Sequence, residues 1–439
     1  MYDPPHLLKC LRNCLNKHDI KTEEGIMSWE HLRQFYEADS KRSVRAAPKL
    51  RDVHIVLGAF KRMKVKLASQ VFSRSVACGM QLYADVGLLT SECAVTAKGL
   101  LRMNNAFDIL NSSRTDQCPN RRPFSAATEG NHIQVLTETR EWLRQWCIAG
   151  RTPAADSVKG MLITISAVLH LWESVKASLP ALYTRRLNQD VLENFFGVVR
   201  QLNGANFKPN PTQFRHAFRK GAVSSMLLPS SQMNCEPDMD RMLGAMTMMA
   251  ARSNQPAPEA KITFMPNPAP PILDVPVDQV SANVLTYIAG YLARKAGEKH
   301  SCEVCSAALV KATSVATYDR EAFVGLKSYT GVGDMDIGSL ILPSDKLYSL
   351  VAKTFDVFES QAASAMSRPG VLGCLQACVE DSAEWKAVRE LVCARNSLCF
   401  MVKIFIRMQL HKLCEKVTAG AQKGANRQNR QYVKVSHRV

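Results

Sequence analysis

Leu187-Asn188-Gln189-Asp190-Val191-Leu192-Glu193-Asn194-Phe195-Phe196-Gly197-Val198-Val199-Arg200 is the most informative stretch of this 439-residue sequence. On a helix, Leu192, Phe195, Phe196 and Val199 fall at offsets 0, 3, 4 and 7, so the spacing predicts an amphipathic helix buried along that stripe. Asp190 and Glu193 project from neighbouring positions at the edge of the stripe, and Arg200 lies two turns beyond Glu193. A carboxylate pinned to a buried helix suits a metal ligand or a base. An acidic pair at a helix start also complements the helix dipole, without any chemistry.

Outward from this helix the pattern stays helical. Ile133, Leu136, Leu143 and Trp146 share a face among intervening charges, and Val65, Ala68, Phe72 and Val76 mark a second stripe within Met63 to Met80. No sustained period-two series and no internal repeat occurs, so the chain reads as mainly α. Seven prolines between Arg252 and Val277 deny backbone donors and predict a linker. Polar residues cluster from Asn111 to Gly130, which predicts an exposed loop. The segment 421–439 is basic, without acids and poor in apolar residues, and predicts a flexible tail.

Lys and Arg number 56 against 39 Asp and Glu, a formal charge of +17, while 46% of the residues are hydrophobic. That composition supports a folded core and excludes wholesale disorder. The basic excess favours a polyanion, most simply nucleic acid; a basic solubilising surface is the bland alternative. The longest nearly uncharged apolar stretch, Gly160 to Trp172, is short of the roughly 20 residues a bilayer requires, so no membrane association is expected. Met1 to His6 has no signal-peptide pattern, and the 14 cysteines are expected to be reduced thiols.

The run Leu187 to Arg200, followed by Asn210-Pro211-Thr212-Gln213-Phe214-Arg215-His216-Ala217-Phe218, resembles the C-terminal part of the RNase H-like fold in P-element transposases and their THAP-domain relatives. Asp3-Pro4-Pro5-His6-Leu7-Leu8-Lys9 with Arg12-Asn13 is similar to the family's DxPHLLKxxRN stretch. Pro48 to Leu50, Met63 to Ser73 and Phe107 to Ser112 resemble its GTP-binding insertion, and Tyr287-Ile288-Ala289-Gly290-Tyr291 with Cys302 and Cys305 resembles a downstream segment. The resemblance implies a helical GTP-binding insertion domain of an incomplete RNase H-like transposase core over 1–180, with 1–20 adjoining the core. It further implies the C-terminal part of the RNase H-like domain over 181–250, the proline-rich linker over 251–277, a helical cysteine-containing C-terminal domain over 278–420, and the basic disordered tail over 421–439.

In function the resemblance implies a fragment of a cut-and-paste DNA transposase that acts on transposon ends and target DNA with Mg²⁺ and GTP, as a nuclear homo-oligomer. Two metal ions clamp the attacking and leaving oxygens of phosphoryl transfer in such sites. Glu193 matches the third metal-binding acid, both catalytic residue and Mg²⁺ ligand. The first two acids precede the DxPHLLK stretch in the family, so this chain is expected to be inactive alone, and Asp3 before Pro4 reads as a helix cap. The alternative is a non-catalytic DNA-binding or transposase-interacting repressor derived from a transposon.

No Walker-type phosphate loop is present, and Gly331-Val332-Gly333 has the wrong downstream spacing for one. By position the resemblance implies a GTP site with Asp108, Phe107 and Asn111 around the base. Lys64 and Val65 would come from the preceding helix, Ser73 and Lys49 would lie nearby, and Asp190 would make a further contact. Guanine offers paired N–H donors that a carboxylate accepts, whereas the phosphates need cations. Without the resemblance these residues read as a solvated basic face, a core aromatic and a turn cap. Cys302-x-x-Cys305, preceded by His300, has zinc-knuckle spacing, with His411-x-x-Cys414 as a candidate second half; Cys374, Cys378, Cys393 and Cys399 read as small hydrophobes on apolar helices.

Overall fold

Asp3 starts the first helix as its sequence predicts. The Asp3 carboxylate accepts the His6 backbone N–H, prolines fill the first turn, and Leu7, Leu8, Leu11 and Leu15 form the buried stripe of α1 (Pro4–Lys17). The computed structural model describes residues 1–113, 118–148, 155–204, 206, 208–223, 278–313, 316–317, 319–328, 340–366, 370–393 and 395–436. The linker reading over 251–277, the glycine pair at 331–333 and the last residues of the tail lie outside the described residues. Two units divide the chain, Met1–Glu259 and Ala260–Val439.

In the first unit α1 leads into β1 (Ile20–Thr22) and β2 (Gly25–Met27), which pair antiparallel; β3 (Cys147–Ile148) adds to the other side of β1, giving the order β2-β1-β3. Helices make up the rest: α2 (Trp29–Ser40), α3 (Asp52–Ile55), α4 (Ala59–Arg62), α5 (Val65–Val71), α6 (Arg74–Asp85), α7 (Cys93–Leu110), α8 (Glu129–Arg144), α9 (Asp156–Val175), α10 (Asp190–Leu202) and α11 (Pro211–Val223). Helix α7 packs on α6 and α8, α8 on α9, and α1 on both α5 and α9. Leu8, Leu11, Phe35, Tyr83, Leu100, Met103, Leu136, Ile165 and Val168 are among the fully buried core side chains.

Four local readings need correction. Met63 to Met80 is two helices, because Phe72 leaves helical geometry and the Ser73 hydroxyl accepts the Val76 N–H to begin α6. The stretch from Asn111 to Gly130 is not simply an exposed loop. Phe124 is fully buried, exchanges backbone hydrogen bonds with Leu182 and packs edge-on against His132. The stripe of α10 is only partly buried: Leu192 is 54% and Phe196 41% exposed, while Asp190, Asn194 and Val199 are covered instead. Phe195 and Phe196 pack against Phe218 and Phe214 of α11, so aromatic pairing between two helices takes the place of the expected burial. The fourth concerns α9, which is long and apolar enough to cross a membrane by length and composition. Its buried residues Val158, Met161, Ile165, Val168 and Trp172 recur at helical spacing, the pattern of a one-sided core helix.

The second unit contains α12 (Gln279–Lys299), α13 (Glu303–Leu309), α14 (Ala322–Lys327), α15 (Asp345–Ala365), α16 (Val371–Glu380), α17 (Ala383–Arg389) and α18 (Arg395–Ser436). Helix α18 packs on α12, α15 and α16 through buried Leu398, Met401, Val402, Phe405 and Ile406. Its backbone stays helical to Ser436, where the composition predicts a flexible tail. Ala, Gln, Lys and Arg have high intrinsic helix propensity, so the helix extends without an apolar stripe.

Candidate functional site

Glu193 occupies the first turn of α10 and is 34% exposed. It lines a cleft of about 350 Å³ together with His6, Lys9, Met63, Phe196 and Arg200. His6 bridges two carboxylates: its Nδ1 is 2.6 Å from Asp3 Oδ2 and its Nε2 is 3.3 Å from Glu193 Oε1. The hydrogen bond to Asp3 raises the His6 pKa above its ordinary value, against the effect of burial, with Glu193 adding to the rise. Burial alone lifts the Asp3 carboxyl, but the hydrogen bond from His6 and the backbone N–H groups of Gln189 and His6 outweigh it and hold its pKa below the usual value.

The start of α10 is fixed from two sides. Gln189 donates its backbone N–H to Asp3 Oδ1 at 2.7 Å, and Asn188 Nδ2 donates to Asn111 Oδ1 at 2.9 Å. Just before it, Ser112 N–H donates to the Thr184 hydroxyl at 3.0 Å, and Arg185 N–H donates to the Ser112 carbonyl at 3.1 Å. Asp3 therefore caps one helix and anchors the next. Sequence reasoning finds the cap and misses the second role; the Asp-x-x-His spacing, which puts Asp3 and His6 one turn apart, was the available signal for a pair.

The residues read as a nucleotide site fall into three places. Asp108 is buried near the end of α7, with Oδ1 accepting from Arg121 Nε at 3.1 Å and Oδ2 from Asn104 Nδ2 at 3.1 Å. Burial raises its pKa, opposed by the Arg121 charge. Ser73 caps α6 beside Arg74, whose backbone N–H donates to Asn104 Oδ1 at 3.2 Å, so Ser73 is joined to the Asp108 neighbourhood through Asn104. Asn111 is tied to the start of α10, where Asp190 is 2% exposed; Phe107 is buried on α7. Lys64 is the cap residue of α5, Val65 is buried on it, and Lys49 is exposed on the turn closed by Leu50 N–H and the Ala47 carbonyl. The Asp108 carboxylate has the charge and hydrogen-bond sense for the donor edge of guanine, but both its oxygens already accept from Arg121 and Asn104, so a base would share them through their remaining lone pairs.

A two-magnesium cradle is not completed by the described residues. Hard cations of this size take several oxygen ligands, whereas the cleft offers the Glu193 carboxylate beside Lys9 and Arg200, and both Asp3 oxygens already accept hydrogen bonds. In the second unit Cys302 and Cys305 lie together with His300, as their spacing suggests, but the fourth member is Cys393. Cys393 is exposed before α18 and is no helix-packing hydrophobe, while His411 and Cys414 are exposed on α18 and outside this group.

Comparison with known proteins gives three family matches along the chain. Residues 5–120 match a TNP-like, GTP-binding insertion domain, residues 186–219 a TNP-like, RNase H C-terminal domain, and residues 276–418 a DNA transposase THAP9, C-terminal domain. The Transposable element P transposase of Drosophila melanogaster is 27% identical over 222 residues, which is 50% of this chain and 29% of that protein. The human DNA transposase THAP9 is 25% identical over 232 residues, 49% of this chain and 25% of its own length. Among solved structures, the Drosophila P element transposase strand transfer complex matches at 25% identity with a TM-score of 0.46, covering 51% of each chain. The matched region thus spans between a quarter and a third of the curated relatives.

Proposed function

The chain belongs to the P-element-type family of THAP transposases, and we propose that it carries the guanine-nucleotide module and the last metal-binding acid of a DNA-cutting and DNA-joining enzyme. One observation supports this above the others: the start of the Glu193 helix is bonded both to Asn111, at the end of the Asp108 helix, and to Asp3, at the head of α1. Nucleotide at Asp108 stabilises the end of α7; through Asn111 and Asn188 this orders the first turn of α10 and holds Glu193 in its cleft. His6 holds the Glu193 carboxylate at 3.3 Å in the cleft that Lys9 and Arg200 also line. Magnesium, when bound, would stabilise the charge that develops on the phosphate, with Glu193 as this chain's ligand to it. DNA at transposon ends and targets, self-association and nuclear residence complete the proposal, the first supported by the formal charge of +17.

Binding of a fluorescent GTP analogue to the full chain, competed with GTP and ATP, tests the nucleotide half. GTP is expected to compete and ATP not. Asp108→Ala should weaken GTP by about 10- to 100-fold, the effect of about 1.5–3 kcal/mol for hydrogen bonds to a charged group, with the circular dichroism unchanged. Equal competition by ATP, or unchanged affinity in Asp108→Ala, refutes the site. Glu193 is the one carboxylate among the described residues lining the cleft, which Lys9 and Arg200 also line, and this favours a second reading, a non-catalytic DNA-binding repressor: steeply salt-dependent DNA binding without cleavage at any magnesium concentration separates it from the first.

A further inference from the structure

Three thiols and an imidazole meet in the second unit although they come from separate parts of the chain. His300 ends α12, its backbone N–H bonded to the Ala296 carbonyl at 2.8 Å; Cys302 is the cap residue of α13, and Cys305 lies in the first turn of that helix. Cys393 comes from the turn before α18. Its Sγ lies 3.2 Å from His300 Nε2, 3.6 Å from Cys302 Sγ and 3.3 Å from Cys305 Sγ. All four ligand atoms fall within 4.8 Å of one another. Around a tetrahedral zinc with bonds of about 2.3 Å to sulfur, neighbouring ligand atoms sit ~3.8 Å apart, so the three contacts of Cys393 need to lengthen by only a few tenths of an ångström. A disulfide joins two sulfurs at about 2.05 Å, and these three are free thiols. Burial as small hydrophobes does not explain the cluster either, because Cys393 is exposed and Cys302 half-buried.

We infer that His300, Cys302, Cys305 and Cys393 bind a structural zinc ion. Thiolate and imidazole ligands select zinc over the hard oxygen-seeking cations, and four protein ligands leave no position open for substrate, so the role is mechanical. The ion pins the end of α12 and the head of α13 to the turn that launches α18, positions 88 to 93 residues apart in sequence. Lys299 already lies 4.2 Å over the Phe400 ring, so α12 and α18 approach each other beside the site through an independent contact. The inference does not depend on nucleotide or DNA binding in the first unit.

Metal analysis of the full chain purified from zinc-supplemented medium tests it. One zinc per chain is expected, falling to near zero in Cys393→Ala and in Cys302→Ala and staying at one in Cys414→Ala. Substituting cobalt(II) in the unaltered chain should give the intense visible bands of a tetrahedral ion with the sulfur charge-transfer absorption of three thiolates, a readout that requires no variant to fold. Chain that binds neither zinc nor cobalt overturns the inference. So does a two-thiolate spectrum, or zinc retained in Cys393→Ala but lost in Cys414→Ala.

Discussion

Asp39 shows how much one buried side chain can organise. It sits at the end of α2 with no exposure, and its carboxylate accepts the Ala46 N–H at 2.7 Å, the Ala47 N–H at 3.4 Å, Arg45 Nε at 3.0 Å and the Tyr83 hydroxyl at 3.1 Å. A buried charge is tolerated only when it is this fully satisfied. Asp39→Ala removes the acceptor and leaves Arg45 and two backbone donors facing an apolar gap, so urea denaturation should report a loss of about 3–5 kcal/mol from the first unit. Asp39→Asn, which keeps an oxygen for the backbone donors, should lose less; a loss under about 1 kcal/mol in Asp39→Ala would show that the network is not structural. Neither the bonds of Asp39 nor the 3.3 Å approach of His6 to Glu193 leaves a trace in local periodicity: Arg45, Ala46 and Ala47 reach Asp39 through an irregular turn, and Tyr83 and Glu193 come from distant parts of the chain.

At the scale of elements, α12 packs on α18 and α15 in the second unit and has one position where another stretch of chain passes very close. A Cβ on Gly290 would meet the backbone carbonyl of Ile341, which cannot rotate away as a side chain could. Helix propensity favours alanine over glycine by about 1 kcal/mol, but collision with rigid backbone is the larger effect. Gly290→Ala should therefore lower the stability of the second unit by about 1–3 kcal/mol in thermal unfolding, and a raised melting temperature would contradict the close approach. Elements set by local rules were legible in the sequence. The Asp3 cap with its prolines and the helical class follow from local residue types and spacing. The break at Ser73 was hidden because the apolar stripe runs across it, and the cap depends on one hydroxyl. The exposed side of α10 was misread for a related reason: hydrophobic periodicity predicts an apolar face but not what covers it, and here aromatic contacts with α11 cover only part. Cys393 could not be paired with Cys302 by spacing rules that look a few residues ahead, since folding brings it from 91 residues away.

For the molecule as a whole, acid is the natural stress. Burial lowers the pKa of His54 and His132, whose neutral rings hydrogen-bond Gln70 at 2.8 Å and the Arg122 carbonyl at 2.9 Å. The unfolded rings protonate near 6.5 while the folded ones stay neutral to lower pH. Between those values the unfolded chain binds more protons at these two rings, so they take stability from the first unit as pH falls below 6.5, while His6, whose pKa is raised, works in the opposite sense. In the second unit, burial raises the Glu321 pKa, but Lys311 at 2.6 Å and the Thr317 donors outweigh it and hold the pKa below 4.5. Its contribution is present above that value and is lost only as pH falls through the lower folded pKa. Denaturant midpoints measured from pH 7 to pH 5 should decline for the first unit, with a shallower slope in His132→Asn; an identical slope in that variant would exclude the histidine as the cause.

The joint between Ser112 and Thr184, 72 residues apart, has a consequence for how such a chain can change over time. The polypeptide departs and returns at one riveted point, where two hydroxyls and three main-chain groups interlock. Connecting turns inside that excursion can lengthen or shorten while the rivet stays in register, and the carboxylate six residues past Leu187 keeps its address. Length changes in those turns are thereby uncoupled from the geometry of the cleft, much as a pocket sewn at its mouth can change depth without moving the seam, while α9 itself stays bound to α1.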